Sequence, residues 1–329
     1  MMGVCCARCQ PRLQEAVFTG EAQGATYTIK VAGNLGGTQR TQIQEVIEAR
    51  LAVMDRTMST YRPDSAISQF NRHAAATPFP VSPQLIEVFS IASQVSAATD
   101  GAFDVTVKPL VDAWGFGPDA SRDAPPASET IQALRARVGY RKVVIDAAAG
   151  TLCKTQPDVC CDLNGIAQGY TVDKLAEDLN GLGCDDYLIE LGGEVRARGH
   201  AVDGKSWRVA IEKAVTTHRA IGQITLLDDK ALSTSGDYRE YYEKDGRRIS
   251  HTIDPATGYP VSHALASVSV IHDSCAMADA YATALMVLGP DQGYDLALKR
   301  NLAALFVRHE PAGRLSEKYT PEFAQALAL

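Results

Sequence analysis

The chain has 329 residues, of which 46% are hydrophobic and 22% charged, and its net charge is −7. That length supports one large domain or two packed closely, and the acidic balance excludes a nucleic-acid partner, which would need a basic face. No run of about 18 apolar residues occurs, so no membrane-spanning helix is expected.

The first residues, Met1-Met2-Gly3-Val4-Cys5-Cys6-Ala7-Arg8-Cys9, lack the apolar stretch of about 7–15 residues found in a secretory signal. They predict a cytoplasmic protein or a native start other than Met1, and residues 1–16 read as a poorly ordered leader. Of the eight cysteines, Cys5, Cys6 and Cys9 cluster, but no matching Cys or His spacing follows to complete a zinc site. Cys153, Cys160 and Cys161 are expected on neighbouring strands as small apolar residues.

In chain order, Ala25–Val31 alternates as a strand. Thr41–Met58 predicts a helix, with Ile43, Val46, Ile47, Leu51 and Met54 at helical spacing. Tyr61-Arg62-Pro63-Asp64-Ser65 reads as a loop whose tyrosine either packs over the core edge or stacks on a flat ligand. Ser82–Ala98 predicts a second helix, with Ser82 as N-cap and Pro83 at the first position. Asp100–Leu110 is a small-residue turn in which Asp104 and Thr106 offer polar contacts, and 119–128 is the linker candidate between two subdomains. A helix at Ser128–Val138, a hairpin of Tyr140–Asp146 and Thr151–Lys154, and a strand at Val159–Leu163 follow. They lead to Asp162-Leu163-Asn164-Gly165, where the chain turns into a helix reaching Leu182. The N–H groups at such a helix start attract phosphate. The spacing nevertheless matches neither a dinucleotide fingerprint nor a P-loop, and a plain structural turn fits as well.

Tyr187–Leu191 is a strand ending in Gly192-Gly193-Glu194, which permits a bulge, a hairpin turn or close approach of a ligand. Trp207–Glu212 and Ile221–Leu227 are expected to continue the sheet, Leu232–Arg239 to form a polar loop, and Asp245-Gly246 a hairpin turn. The most informative stretch is Ser250–Gly289. His251 precedes a proline- and glycine-containing turn, Asp254–Gly258. A strand at Ala264–Ile271 and an apolar helix at Ala276–Leu288 follow, the latter with Asp273 or Ser274 as N-cap. Asp279 and Thr283 fall on one face of that helix. A carboxylate in such surroundings needs a partner. A hard cation such as Mg²⁺ or Ca²⁺ would satisfy it, and so would a hydrogen bond from Thr283. Asp291–Lys299 then predicts a helix, Ala303–Val307 a strand, and the remainder a tail.

Several segments together closely resemble the bacterial flavin transferases of the ApbE type, from about Phe18 to Val307: FTGEAQGATYTIKV, MSTYRPDSAIS, GAFDVTVKPLV, DLNGIAQGYTVD, LIELGGEVRARG, LSTSGDYR, SHTIDPATGYPV and DAYATALMVLG. The resemblance implies an α+β fold in two intertwined lobes, with mixed or antiparallel sheets and FAD held in the cleft between them. It implies Mg²⁺ bound by Asp279, Thr283 and a backbone carbonyl at Gly165, and His251 as the catalytic histidine. Tyr61, Ala102, Phe103, Asp104, Asp162, Gln168, Arg239 and the region of Ala266 fall where the family contacts FAD. Gln168 departs from the lysine often found at its place.

The activity so implied is transfer of FMN from FAD to a Thr or Ser hydroxyl of an acceptor protein, with release of AMP. An imidazole titrates near neutral pH, which suits a base for that hydroxyl, although a histidine before a turn also serves as a local hydrogen-bonder. Two other readings use the same residues: hydrolysis of FAD to FMN and AMP, and storage of FAD without turnover. The acceptors implied by the family are subunits of membrane redox complexes of the Na⁺-translocating NADH:quinone reductase and Rnf types. The implied location is the periplasm, with lipid anchoring to the inner membrane in the native form.

Overall fold

The computed structural model describes residues 14–118, 125–212, 221–236, 241–244 and 247–327. The hairpin of β1 (Glu15–Ala22) and β2 (Ala25–Ala32) is followed by α1 (Gly37–Met58), α2 (Ala66–Arg72), the short β3 (Phe79–Pro80) and α3 (Pro83–Ala98). Next come α4 (Lys108–Ala113), α5 (Ser128–Arg135), β4 (Val143–Asp146), β5 (Thr151–Lys154), α6 (Ala167–Gly181), β6 (Tyr187–Leu191) and β7 (Glu194–Arg198). The strands β8 (Trp207–Glu212), β9 (Ile221–Leu227), β10 (Lys230–Gly236), β11 (Tyr241–Lys244), β12 (Arg247–Ser250) and β13 (Leu265–His272) precede α7 (Cys275–Lys299). The chain then forms β14 (Ala303–Glu310), β15 (Arg314–Tyr319) and α8 (Pro321–Ala324).

Eight strands make one sheet in the order β1-β2-β6-β7-β10-β13-β14-β15, with every neighbouring pair antiparallel. Strand alternation buries both faces. On β14, Ala304 and Phe306 join the core under α3 and α7, whereas Leu305 and Val307 join a second core under the β8–β9 hairpin and α8. Helix α1 has no side-chain N-cap, a loss of about 1 kcal/mol. Its stripe of Ile43, Ile47, Leu51 and Met54 is almost wholly buried, and at about 1.5–3 kcal/mol per side chain this outweighs the missing cap.

Helices α6 and α7 are locked together at two points. Asp173 on α6 accepts hydrogen bonds from the Ser274 hydroxyl at 2.7 Å and the N–H groups of Cys275 and Ala276 at 2.9 and 3.0 Å. It thereby neutralises donors that the first turn of α7 cannot satisfy internally. Arg196 on β7 completes the arrangement, donating to Asp173 at 2.8 Å. The second point is Gly169, where a Cβ would lie 2.5 Å from the Cys275 carbonyl oxygen and 2.9 Å from the Asp279 Cβ. Only glycine lets the helices approach that closely.

The predicted helices and most predicted strands form, with shifted ends. Ser274 is the N-cap of α7, and the two helices expected on either side of Gly289-Pro290 form as its two segments, divided by non-helical backbone at Gly289. Other expectations are corrected. Glu15 and Ala16, placed in the leader, open β1, where Ala16 is buried. The Val159–Leu163 segment is not a strand, so Cys160 and Cys161 are not on one; it is held instead by the Asn71 side chain, which bonds both backbone groups of Cys161. Strands β8 and β9 form their own two-stranded sheet. The expected loop from Leu232 is a central strand, β10, whose polar side chains are satisfied across the sheet, as in the 2.8 Å Thr234–Ser269 hydroxyl contact. The expected tail supplies β15 and α8. The Cys5/Cys6/Cys9 cluster, most of the linker candidate, Arg239 and the Asp245-Gly246 turn lie outside the described residues. Among the described residues no helix is long and apolar enough to cross a membrane.

Candidate active site

A cavity of about 1370 Å³ lies between the exposed turns after α1 and η-turn Val105–Val107 on one side and the sheet and α7 on the other. Small-molecule pockets usually measure roughly 300–1,000 Å³, so this one is larger than a typical single-ligand site. Its floor is built by α7. Asp279 and Thr283 line it one helical turn apart, and the turn at Gly165 comes against them. A Cβ on Gly165 would sit 3.1 Å from the Thr283 hydroxyl and 3.2 Å from the Phe103 ring. The Thr283 hydroxyl also lies 3.2 Å from that of Ser235 on β10.

The Gly165 turn is held from behind. The N–H of Asp162 donates to the Val105 carbonyl at 2.7 Å, and Asn71 grips Cys161. The fully buried Lys154 donates to the Asn71 carbonyl at 2.8 Å, with its ammonium over the Phe70 ring. Because Gly169 sets the spacing of α6 and α7, Gly169→Ala is expected to cost roughly 1–3 kcal/mol of stability and to displace the turn from Asp279. A lower melting temperature would be the result; an unchanged melting temperature would show that the helices can separate freely.

The floor is acidic and buried. Asp279 is 5% exposed and accepts one hydrogen bond, from Gly169 N–H at 3.2 Å. Burial raises its pKa to about 7, against a smaller opposing effect of that bond. Glu194 at the start of β7 also lines the cavity and is 6% exposed. Burial first, and the Asp279 charge second, push its carboxyl well above the ordinary range. Burial likewise raises Asp104, whose carboxylate accepts from the Thr106 N–H and hydroxyl at 2.8 and 2.6 Å. It also raises Asp162, which caps its own turn through Asn164 N–H at 2.8 Å.

His251 follows β12 and lines the same cavity. Its ring meets Phe116 edge-on, with centroids 6.2 Å apart. The turn after it is rigid: Gly258 N–H donates to the Asp254 carbonyl at 2.8 Å, and Trp114 donates from its indole to the Gly258 carbonyl at 2.8 Å. Gly258 has φ +79°, and a Cβ there would lie 2.7 Å from Ile131. Both conformation and contact therefore require glycine.

The cavity thus brings together His251, Tyr61, Ala102, Phe103, Asp104, Asp162, Gln168, Gly165, Asp279 and Thr283. Tyr61 is 64% exposed at the rim. Gln168 packs its amide under Gly192 and donates to the Gln23 carbonyl at 3.4 Å. Ala266 is absent from the lining: a bulge between Leu265 and Ser267 turns it into the core beneath the β8–β9 hairpin. Arg239 lies outside the described residues.

The sequence profile of the ApbE family matches residues 23–306. The chain belongs to the ApbE family. It is 40% identical over 301 residues to the FAD:protein FMN transferase of Vibrio cholerae serotype O1, covering 92% of this chain and 90% of that one. It is 36% identical over 296 residues to the protein of the same name from Escherichia coli K12, covering 89% and 84%. The fold matches the flavin transferase ApbE from Vibrio cholerae with a TM-score of 0.88 at 38% identity, covering 96% of this chain and 100% of that one. It matches the apo form of the Pseudomonas stutzeri flavinyl transferase ApbE with the same TM-score at 41% identity, covering 96% and 98%. The α+β fold of helices and antiparallel sheet expected from the sequence is the fold of these ApbE structures.

The donors on the ApbE cavity floor suit a hard divalent cation. They are all oxygen: the Asp279 carboxylate, the Thr283 and Ser235 hydroxyls, and the backbone at Gly165. Among the described residues no three His, Cys, Asp or Glu side chains converge, so a cation here would draw its remaining ligands from carbonyls, water and substrate oxygens. The sequence reading missed Glu194 as a site residue. Its signal was a carboxylate opening a strand with apolar neighbours, directly after a double glycine.

Proposed function

We propose that this protein transfers FMN from FAD to a threonine or serine hydroxyl of an acceptor flavoprotein and releases AMP. The observation that carries the reading is that one large cavity is lined by both an imidazole and a buried oxygen-donor set. The acceptor oxygen forms a bond to the FMN-side phosphorus, the bridging P–O bond breaks, and AMP departs with the bridging oxygen. His251 takes the hydroxyl proton. Asp279, Thr283 and Gly165 would hold Mg²⁺, which when bound supplies positive charge beside the phosphate oxygens as the bond breaks. Tyr61, Phe103 and Ala102 shape the rim and wall for the flat parts of FAD, and Asp104, Asp162 and Gln168 offer polar contacts.

Subunits of Na⁺-translocating NADH:quinone reductase or Rnf complexes fit as acceptors, and the periplasm fits as the compartment in which they would be met. The test is to incubate the protein with FAD, Mg²⁺ and such a subunit and to weigh the subunit intact. A mass gain equal to a phosphoester-linked FMN, together with free AMP, is expected. Release of FMN and AMP with no gain would overturn transfer in favour of FAD hydrolysis.

A further inference from the structure

The cavity floor holds a second carboxylate with no assigned part in the chemistry. Oε2 of Glu194 accepts no hydrogen bond from any described residue; besides its own backbone N–H, the carboxylate meets the Ser233 hydroxyl, which lies a long 3.4 Å from Oε1. The side chain is 6% exposed and lines the same cavity as Asp279. Leaving a buried carboxylate oxygen unsatisfied is unfavourable, and a neighbouring like charge makes it worse. Among the described residues no cation offsets either group.

Building on the flavin-transfer reading, we propose that Glu194 is a further member of the cation site, holding a divalent ion jointly with Asp279 through its free oxygen or through an ion-bound water. The two carboxylates match the charge of one such ion. Strand β10 ties the halves together: Ser233 touches Glu194, and Ser235, two residues on and so on the same face of the strand, touches Thr283. With this charge match the ion binds before FAD arrives, and the dinucleotide phosphates meet an ion already in place.

The experiment measures Mn²⁺ binding to the full-length protein without FAD, from the loss of the free-ion signal in electron paramagnetic resonance. Glu194→Gln keeps the side-chain shape and removes the charge, and it is expected to raise the Mn²⁺ Kd at least tenfold while the metal-free variant melts no lower than the wild type. An unchanged Kd would overturn the proposal, because Glu194 would then be a protonated side chain buried for packing. Should Glu194→Gln not fold, Glu194→Asp withdraws the oxygen by one methylene and is expected to weaken binding likewise; equal binding there overturns the proposal too. Wild-type protein that binds no Mn²⁺ would remove both the cation and the part given to Glu194. Wild-type protein that binds Mn²⁺ yet transfers no FMN would strike the functional reading and leave this cation site standing.

Discussion

His251→Ala is expected to slow FMN transfer by roughly 10²–10⁴-fold, the range for loss of a positioned general base, while FAD binds within a few-fold of the wild type. The two effects separate because the cavity wall does not depend on the imidazole. Its turn is held by the Asp254–Gly258 bond, by the Trp114 indole on the Gly258 carbonyl, and by Ile253 in the core beneath. Single-turnover transfer followed by mass spectrometry, beside a fluorescence titration of FAD, reads both quantities. Full transfer by the variant with FAD bound would show that the hydroxyl proton leaves by another route.

Asp279→Asn is expected to abolish Mg²⁺-dependent turnover and, without metal, to stabilise the protein at neutral pH. The sign follows from burial. The Asp279 carboxyl sits at about 7 in the fold, whereas in the unfolded chain it titrates near 3.9. Between those values the native state keeps a proton that the unfolded state releases. The stability linked to Asp279 is therefore fully present below about pH 4 and is lost as pH rises through 7, a change on the order of a few kcal/mol. Glu194 acts in the same direction. Thermal melts in chelator should show the wild type weakening from pH 5 to 8 and the asparagine variant weakening less. Added Mg²⁺ should raise the wild-type melting temperature more at pH 8 than at pH 5, since the ion displaces protons, and should leave the variant unmoved. Wild-type turnover that survives chelation would sink the cation's role.

Much of the floor was legible because it depends on short-range spacing. Asp279 and Thr283 share a helix face whatever the tertiary context, and Gly165 marks a turn by composition alone. His251 was legible through the rigid turn after it. The strand β10 was not, because Ser233, Thr234 and Ser235 look like loop residues until cross-strand hydroxyls satisfy them. Glu194 was hidden for a related reason: a charged residue after two glycines reads as a solvent-facing hairpin, and only the assembled sheet puts it in the dark beside Asp279. The Ala266 side chain is turned off the cavity lining by a single bulge, which reverses the side a strand residue faces and leaves no mark in its composition.

The two walls of the cavity are anchored in different places. The floor belongs to α7 and the large sheet, while the His251 wall rests on a small separate cluster of Leu110, Trp114, Ile131, Ile249 and Ile253. The position of the imidazole therefore depends on a handful of apolar contacts rather than on the strand ladder. In the proposed reaction, a dinucleotide seated against both elements would set by its own length how far the proton acceptor stands from the phosphorus.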